Sequence, residues 1–105
     1  VKLSGIDHVA HKVDNIPDAV KWYQLNLDAE VEYQDETWAM LSVAGSKLAL
    51  SKNEHPNHVA FTVPTPEDLP KTAHMGTHRD GSQYSYARDP YGNFIEFIYW
   101  PERSV

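Results

Sequence analysis

Cysteine is absent from the 105-residue chain, which excludes disulfides, a thiolate nucleophile and thiolate metal sites. No apolar run is long enough to span a bilayer. The first residues also lack the charged-then-apolar order of a secretory leader. Basic residues are few and scattered, 9 against 15 acidic for a net charge of -6, so the chain carries no electrostatic footprint for nucleic acid. These absences set the expectation of a cytoplasmic, soluble protein with no nucleic-acid or membrane partner, its acidic balance serving solubility. The length fits one domain with a hydrophobic core of its own.

What is present is a repeat. Asp7-His8-Val9-Ala10-His11-Lys12-Val13 returns, loosened, as Asn57-His58-Val59-Ala60-Phe61-Thr62-Val63, fifty positions later. The echo divides the chain into two halves, 1–53 and 54–105, and sets a histidine at the same phase of the same predicted strand in each.

In the first half a strand over 6–13 leads to Asp14 or Asn15 as a helix N-cap, with Pro17 in the first turn. Ile16, Val20, Tyr23 and Leu27 follow at helical spacing. Strands are expected over 30–34, 37–43 and 47–51, with turns at Asp35-Glu36 and Ala44-Gly45-Ser46 between them. The second half repeats the plan in trimmed form. A strand over 57–63 precedes a helix start at Thr65-Pro66-Glu67-Asp68, which Pro70 cuts short. Strands follow near Thr77, over 83–88 and over 93–99, and Asp89-Pro90-Tyr91-Gly92-Asn93 forms a turn before the last.

Alternation assigns faces, because successive strand side chains point opposite ways. His8 and Ala10 share one face with Ile6, and Val9, His11 and Val13 take the other. Likewise His58, Ala60 and Thr62 oppose Val59, Phe61 and Val63. The apolar faces are expected to pack on the helices, and the histidine faces suit the lining of a cavity. In the last strand Phe94, Glu96 and Ile98 form one face and Ile95, Phe97 and Tyr99 the other. A buried, unpaired Glu96 is costly, so it requires a cation or a strong donor. Two histidines on cavity-facing positions suggest a metal.

Two strand–helix–three-strand units, a histidine on the first strand of each, and a carboxylate just after Asp-Pro-x-Gly-Asn together resemble the vicinal oxygen chelate superfamily. That superfamily comprises glyoxalase I, fosfomycin-resistance thiol transferases, extradiol dioxygenases and bleomycin-binding proteins. The resemblance implies an α+β fold in which two βαβββ units form a mixed, curved sheet around a metal-binding cleft. It implies His8, His58 and Glu96 as metal ligands. Aligning Gly45-Ser46-Lys47-Leu48-Ala49 with Gly92-Asn93-Phe94-Ile95-Glu96 puts Ala49 where glyoxalase I-like members carry a fourth ligand, which speaks against glyoxalase I activity. Two imidazoles and one carboxylate suit Fe(II) or Mn(II), with Zn(II) or Ni(II) as alternatives.

The expected function is therefore that of a divalent-metal-dependent enzyme on a small oxygen-rich substrate that chelates the metal, dioxygenase-like or lyase/isomerase-like, with thiol or epoxide transfer in the same class. The alternative is a non-catalytic binding protein for an antibiotic or metabolite, of the bleomycin-resistance type. A third reading is a structural or regulatory domain that keeps an ancestral metal. Single-module members of the superfamily commonly pair, which implies a homodimer, with its clefts built within one chain or across two. His78, Tyr84 and Tyr86 are the acid–base candidates, and Arg79 or Arg88 could pair with an anionic substrate. His11, His55 and His74 are expected to be solvated or packed, and Trp22, Trp38 and Trp100 to serve core or interface.

Overall fold

Strand β1 (Gly5–Lys12) opens the chain, and the boundary between two compact units falls within it, at Asp7–His8. The structure is a computed structural model that describes residues 1–52 and 56–101. The boundary expected between residues 53 and 54, and the expectation for His55, lie outside the described residues. One unit is His8–Asn57; the other joins Val1–Asp7 to the residues from His58 on.

In the unit His8–Asn57, β1 leads to α1 (Ile16–Leu27), whose start is set by Asn15. The Asn15 Oδ1 accepts the Asp18 backbone N–H at 2.9 Å, which satisfies one of the amides a helix start leaves without an intrahelical partner. Pro17 falls in the first turn, where its missing N–H costs nothing. The helix ends at Asp28 in the left-handed conformation, φ 53°. Ile16 and Val20 are fully packed, joined by Ala29, Ala39, Leu41 and Leu50, with Val13 and Tyr23 against the cluster. Burial of a Leu or Ile side chain is worth about 1.5–3 kcal/mol, so this cluster dominates the unit's stability. Leu27, expected on the same helical face, is exposed in the last turn, and Trp22 is exposed with its ring edge-on to Tyr23.

Strands β2 (Glu30–Gln34), β3 (Trp38–Val43) and β4 (Ser46–Ser51) complete the unit in the order β2-β3-β4-β1. Pairing is antiparallel except for β4 with β1, which is parallel. The β3–β4 connection is a two-residue hairpin in which Ala44 and Gly45 both have positive φ, 51° and 82°, the geometry that matches the right-handed strand twist.

The other unit carries β5 (His58–Thr62), β6 (His74–Thr77), β7 (Gln83–Arg88) and β8 (Phe94–Tyr99) in the order β5-β8-β7-β6. Again the first strand pairs in parallel with the last, and the other pairs are antiparallel. The N-terminal segment lies along β5, where the Ser4 N–H donates to the Thr62 carbonyl at 2.8 Å. The helix expected from residue 65 is a single 3-10 turn, Pro66–Asp68. An α-helix would need position 70 to donate to the Pro66 carbonyl, and Pro70 has no N–H. Leu69 donates to that carbonyl instead, at 3.2 Å. Strand β6 begins at His74, earlier than the element expected near Thr77. Among the described residues no helix is long and apolar enough to cross a membrane.

Candidate metal centre

The parallel strand pair of each unit sets up the same register. In β1–β4, Ala10 lies opposite Ala49, and in β5–β8, Ala60 lies opposite Glu96. Each of these alanines is two residues beyond its histidine, so His8 shares the face of Ala10 and His58 that of Ala60. On the next strand of each unit Met40 lies opposite Ala49 and Tyr86 opposite Glu96. The duplicated plan therefore carries chemistry at Glu96 and Tyr86, and aliphatic side chains at Ala49 and Met40.

The turn Asp89–Asn93 delivers Glu96 to its position. Asp89 Oδ1 accepts the Tyr91 and Asn93 backbone N–H groups at 2.8 and 2.9 Å, and Oδ2 accepts the Asn93 amide at 2.8 Å. These hydrogen bonds hold the Asp89 carboxyl below the usual range. Arg88 lies over the Phe94 ring, 4.8 Å from its centroid, and its guanidinium donates to the Gly92 carbonyl.

Glu96 is 1% exposed, and its two oxygens go to different imidazoles. His58 Nε2 is 3.2 Å from Oε1, and His78 Nε2 is 2.7 Å from Oε2. The rings of His58 and Tyr86 meet edge to face at 5.4 Å. Burial, followed by the Glu96 carboxylate, Tyr84 and a hydrogen bond with Glu96, pushes the Tyr86 phenol far above its ordinary pKa. Tyr86 therefore keeps its proton. Tyr84 stacks on His78, with centroids 4.1 Å apart and planes at 21°. Burial of the carboxylate is thus met by polar partners that include the two imidazoles and the Tyr86 hydroxyl, and this softens a cost of several kcal/mol.

Of the residues singled out in the sequence, the structure brings His58, His78, Tyr84, Tyr86 and Glu96 together in one unit. His8 stands half-buried on β1 of the other. Arg79 belongs to the loop after β6, while His74 is exposed on β6 opposite Tyr86. His11 is exposed, its Nδ1 3.4 Å from the Tyr23 hydroxyl. Trp38 packs against Tyr33, and the Trp100 indole donates to Asp7 Oδ1 at 2.9 Å. Asp7 and Asn57, the residues before the two repeated histidines, are each tied down inside their own unit. Trp100 holds Asp7, and Asn57 Oδ1 accepts the Lys12 N–H at 2.6 Å. Gly76, read from the sequence as part of a loop between His74 and His78, lies instead within β6, where an isolated glycine signals close approach by another group. A Cβ there would lie 2.8 Å from the Tyr84 hydroxyl.

A buried carboxylate and imidazole nitrogens form a donor set that fits a borderline divalent ion such as Fe(II), Mn(II) or Zn(II). The His58 Nε2 and Glu96 Oε1 atoms, 3.2 Å apart, offer one nitrogen and one oxygen of that donor set.

Comparison with known proteins bears on the fold. No family model matches the chain. The metallothiol transferase FosB of Staphylococcus haemolyticus is 32% identical over 72 residues, 58% of this chain and 50% of that protein. The chain spans about half the length of the curated relatives it matches. Methylmalonyl-CoA epimerase of Streptomyces coelicolor, solved with 2-nitronate-propionyl-CoA, superposes with TM-score 0.71 at 16% identity, over 95% of this chain and 99% of that one. A glyoxalase/bleomycin resistance protein/dioxygenase superfamily member from Vibrio splendidus gives TM-score 0.68 at 15% identity, over 94% and 100%. The chain therefore shares its fold, a mixed α+β arrangement of two related units, with these solved structures.

Proposed function

We propose that the chain is a divalent-metal-dependent enzyme acting on a small oxygen-rich substrate, with His8, His58 and Glu96 as the metal ligands. The observation that carries this reading is the buried Glu96 carboxylate, 3.2 Å from His58 on the histidine face of β5. The repeat adds His8 at the equivalent position of β1, one residue beyond the Asp7 that Trp100 anchors. Bound metal supplies a Lewis acid for adjacent substrate oxygens. His58 and Glu96 orient it, Tyr86 offers a hydroxyl that stays protonated near the carboxylate, and Tyr84 backs His78.

Of the expected reaction types, isomerase, lyase or transferase chemistry is favoured over dioxygenation. The proteins similar in fold include an epimerase, and the partial sequence match is to a thiol transferase. A homodimer is part of the same proposal. Trp22 and Leu25 on α1 are exposed apolar residues that a second copy would cover.

Elemental analysis and calorimetric titration with Mn(II) test the site, using wild type and the variants His8→Ala, His58→Ala and Glu96→Ala. The expected result is one ion per chain in wild type and a loss of at least about tenfold in affinity for each variant. Wild type that takes up no divalent ion overturns the reading. Three variants that bind as wild type does overturn the ligand assignment.

A further inference from the structure

We propose that His78 is a positioning residue for Glu96: it holds Oε2, so that the carboxylate meets the metal through Oε1 alone. This inference rests on the metal reading above and adds to it a determinant outside the three ligands. His78 Nε2 stands 2.7 Å from Oε2, closer than the 3.2 Å between His58 Nε2 and Oε1. A carboxylate with one oxygen engaged by a short N–H hydrogen bond coordinates through the other.

The pose of His78 is itself held from three sides. Its backbone N–H donates to the Ser82 carbonyl at 2.8 Å, and its carbonyl accepts the Gly81 N–H at 2.9 Å. Its ring is backed by Tyr84 at 4.1 Å. Tyr84 reaches that position by lying across β6 at Gly76, where a Cβ would stand 2.8 Å from its hydroxyl and 3.0 Å from the ring carbon that bears it. Gly76, Tyr84, His78 and Glu96 thus form one chain of contacts ending at the carboxylate. Its chemical consequence is coordination economy. Monodentate Glu96, together with alanine at position 49, leaves more of the ion's positions to substrate oxygens.

The test uses the whole chain with Co(II) or Mn(II) alone as the probe. Affinity is read by calorimetry, coordination by Co(II) visible absorption, and coupled imidazole nitrogens are counted by pulsed EPR on the Mn(II) form. The metal-free melting curve of each variant checks folding. His78→Ala is expected to weaken Co(II) binding by about 10–100-fold and to change the Co(II) spectrum. His78→Gln, whose amide can donate to Oε2, is expected to restore the wild-type spectrum and to bind within about threefold of wild type. Gly76→Ala, which displaces Tyr84, is expected to fall between them.

His78→Ala with wild-type affinity and spectrum overturns this inference alone. So does a nitrogen count that drops by one in His78→Ala, since His78 is then a ligand. Wild type that binds neither ion overturns the metal reading and this inference with it.

Discussion

Ala49 stands at the register position in β4 that Glu96 holds in β8, each opposite the alanine two residues beyond the repeated histidine. The two units therefore share a scaffold with two equivalent positions, and one of them carries a carboxylate. The neighbours differ together. Glu96 has Tyr86 across β7, whereas Ala49 has Met40 across β3. A protonated phenol can hydrogen-bond to a carboxylate, and a thioether suits an aliphatic neighbour.

Placing a carboxylate at position 49 tests that difference. Ala49 is 2% exposed, with Ala10 and Met40 opposite it, so Ala49→Glu buries an uncompensated charge. Metal-free Ala49→Glu is expected to lose about 3 kcal/mol in urea denaturation at pH 7. Saturating Mn(II) is expected to recover part of the loss, because the proposed ion supplies the missing cation. An equal loss with and without Mn(II) would separate position 49 from the metal.

The aliphatic core gives a second prediction. Leu41 is fully buried within the α1-facing cluster, while Leu25 on α1 is 84% exposed. Leu41→Ala is expected to cost about 3 kcal/mol, through lost transfer energy plus the cavity left behind. At concentrations dilute enough to keep the chain unpaired, Leu25→Ala is expected to change stability by less than about 0.5 kcal/mol. Urea midpoints of the two variants check both, and a large loss in Leu25→Ala would mean that the residue is covered in solution.

Strand parity and turn chemistry are local rules, and they made much of this arrangement legible. Alternation alone places His58 and Glu96 on the faces where the structure has them in contact, and the two glycine-containing turns align Ala49 with Glu96. The bond between His78 and Glu96 was not legible, because it depends on how the 78–82 loop returns the chain to β7. Tyr84 lying over Gly76 is likewise a tertiary fact, for which the lone glycine was only a hint. The shortening of the second helix was half visible. Pro70 announced the break, but only the geometry shows that no α-helical bond forms. Trp22 was expected to serve core or interface, and its exposure comes from the helix face that Ile16 and Val20 bury.

Asp35 provides a pH prediction. Its carboxylate accepts the Tyr33 hydroxyl at 2.7 Å and the backbone N–H groups of Thr37 and Trp38 at 2.9 and 2.8 Å. The Tyr33 bond first, and then that from Thr37, hold its pKa down to about 2. The unfolded chain binds that proton more readily, with an ordinary Asp value of about 3.9. The stabilisation is therefore fully present above about pH 4 and is lost as pH falls through the folded value. Carboxyl NMR is expected to place the Asp35 midpoint near 2. The stability advantage of wild type over Asp35→Asn is expected to shrink between about pH 4 and pH 2. An advantage that stays flat across that window would show that the hydrogen bonds do not favour the ionised form.

Ser85 supplies the last prediction, and it runs opposite to the usual effect of a core substitution. It is fully buried on β7, opposite Phe97 and Met75, and among the described residues its Oγ has no hydrogen-bond partner. Strand parity turns it away from Tyr84 and Tyr86, and hence from the face that carries Glu96. A buried hydroxyl without a partner costs about 1–3 kcal/mol, and Ser85→Ala removes the hydroxyl with little change of volume. The variant is expected to be more stable than wild type by about 1 kcal/mol in urea denaturation. Its Mn(II) affinity is expected to be unchanged, because it faces away from the ligands. A loss of stability would show that the hydroxyl is bonded in solution, through a trapped water or an alternative rotamer. A change in metal affinity would show that the two faces of β7 are coupled through the strand.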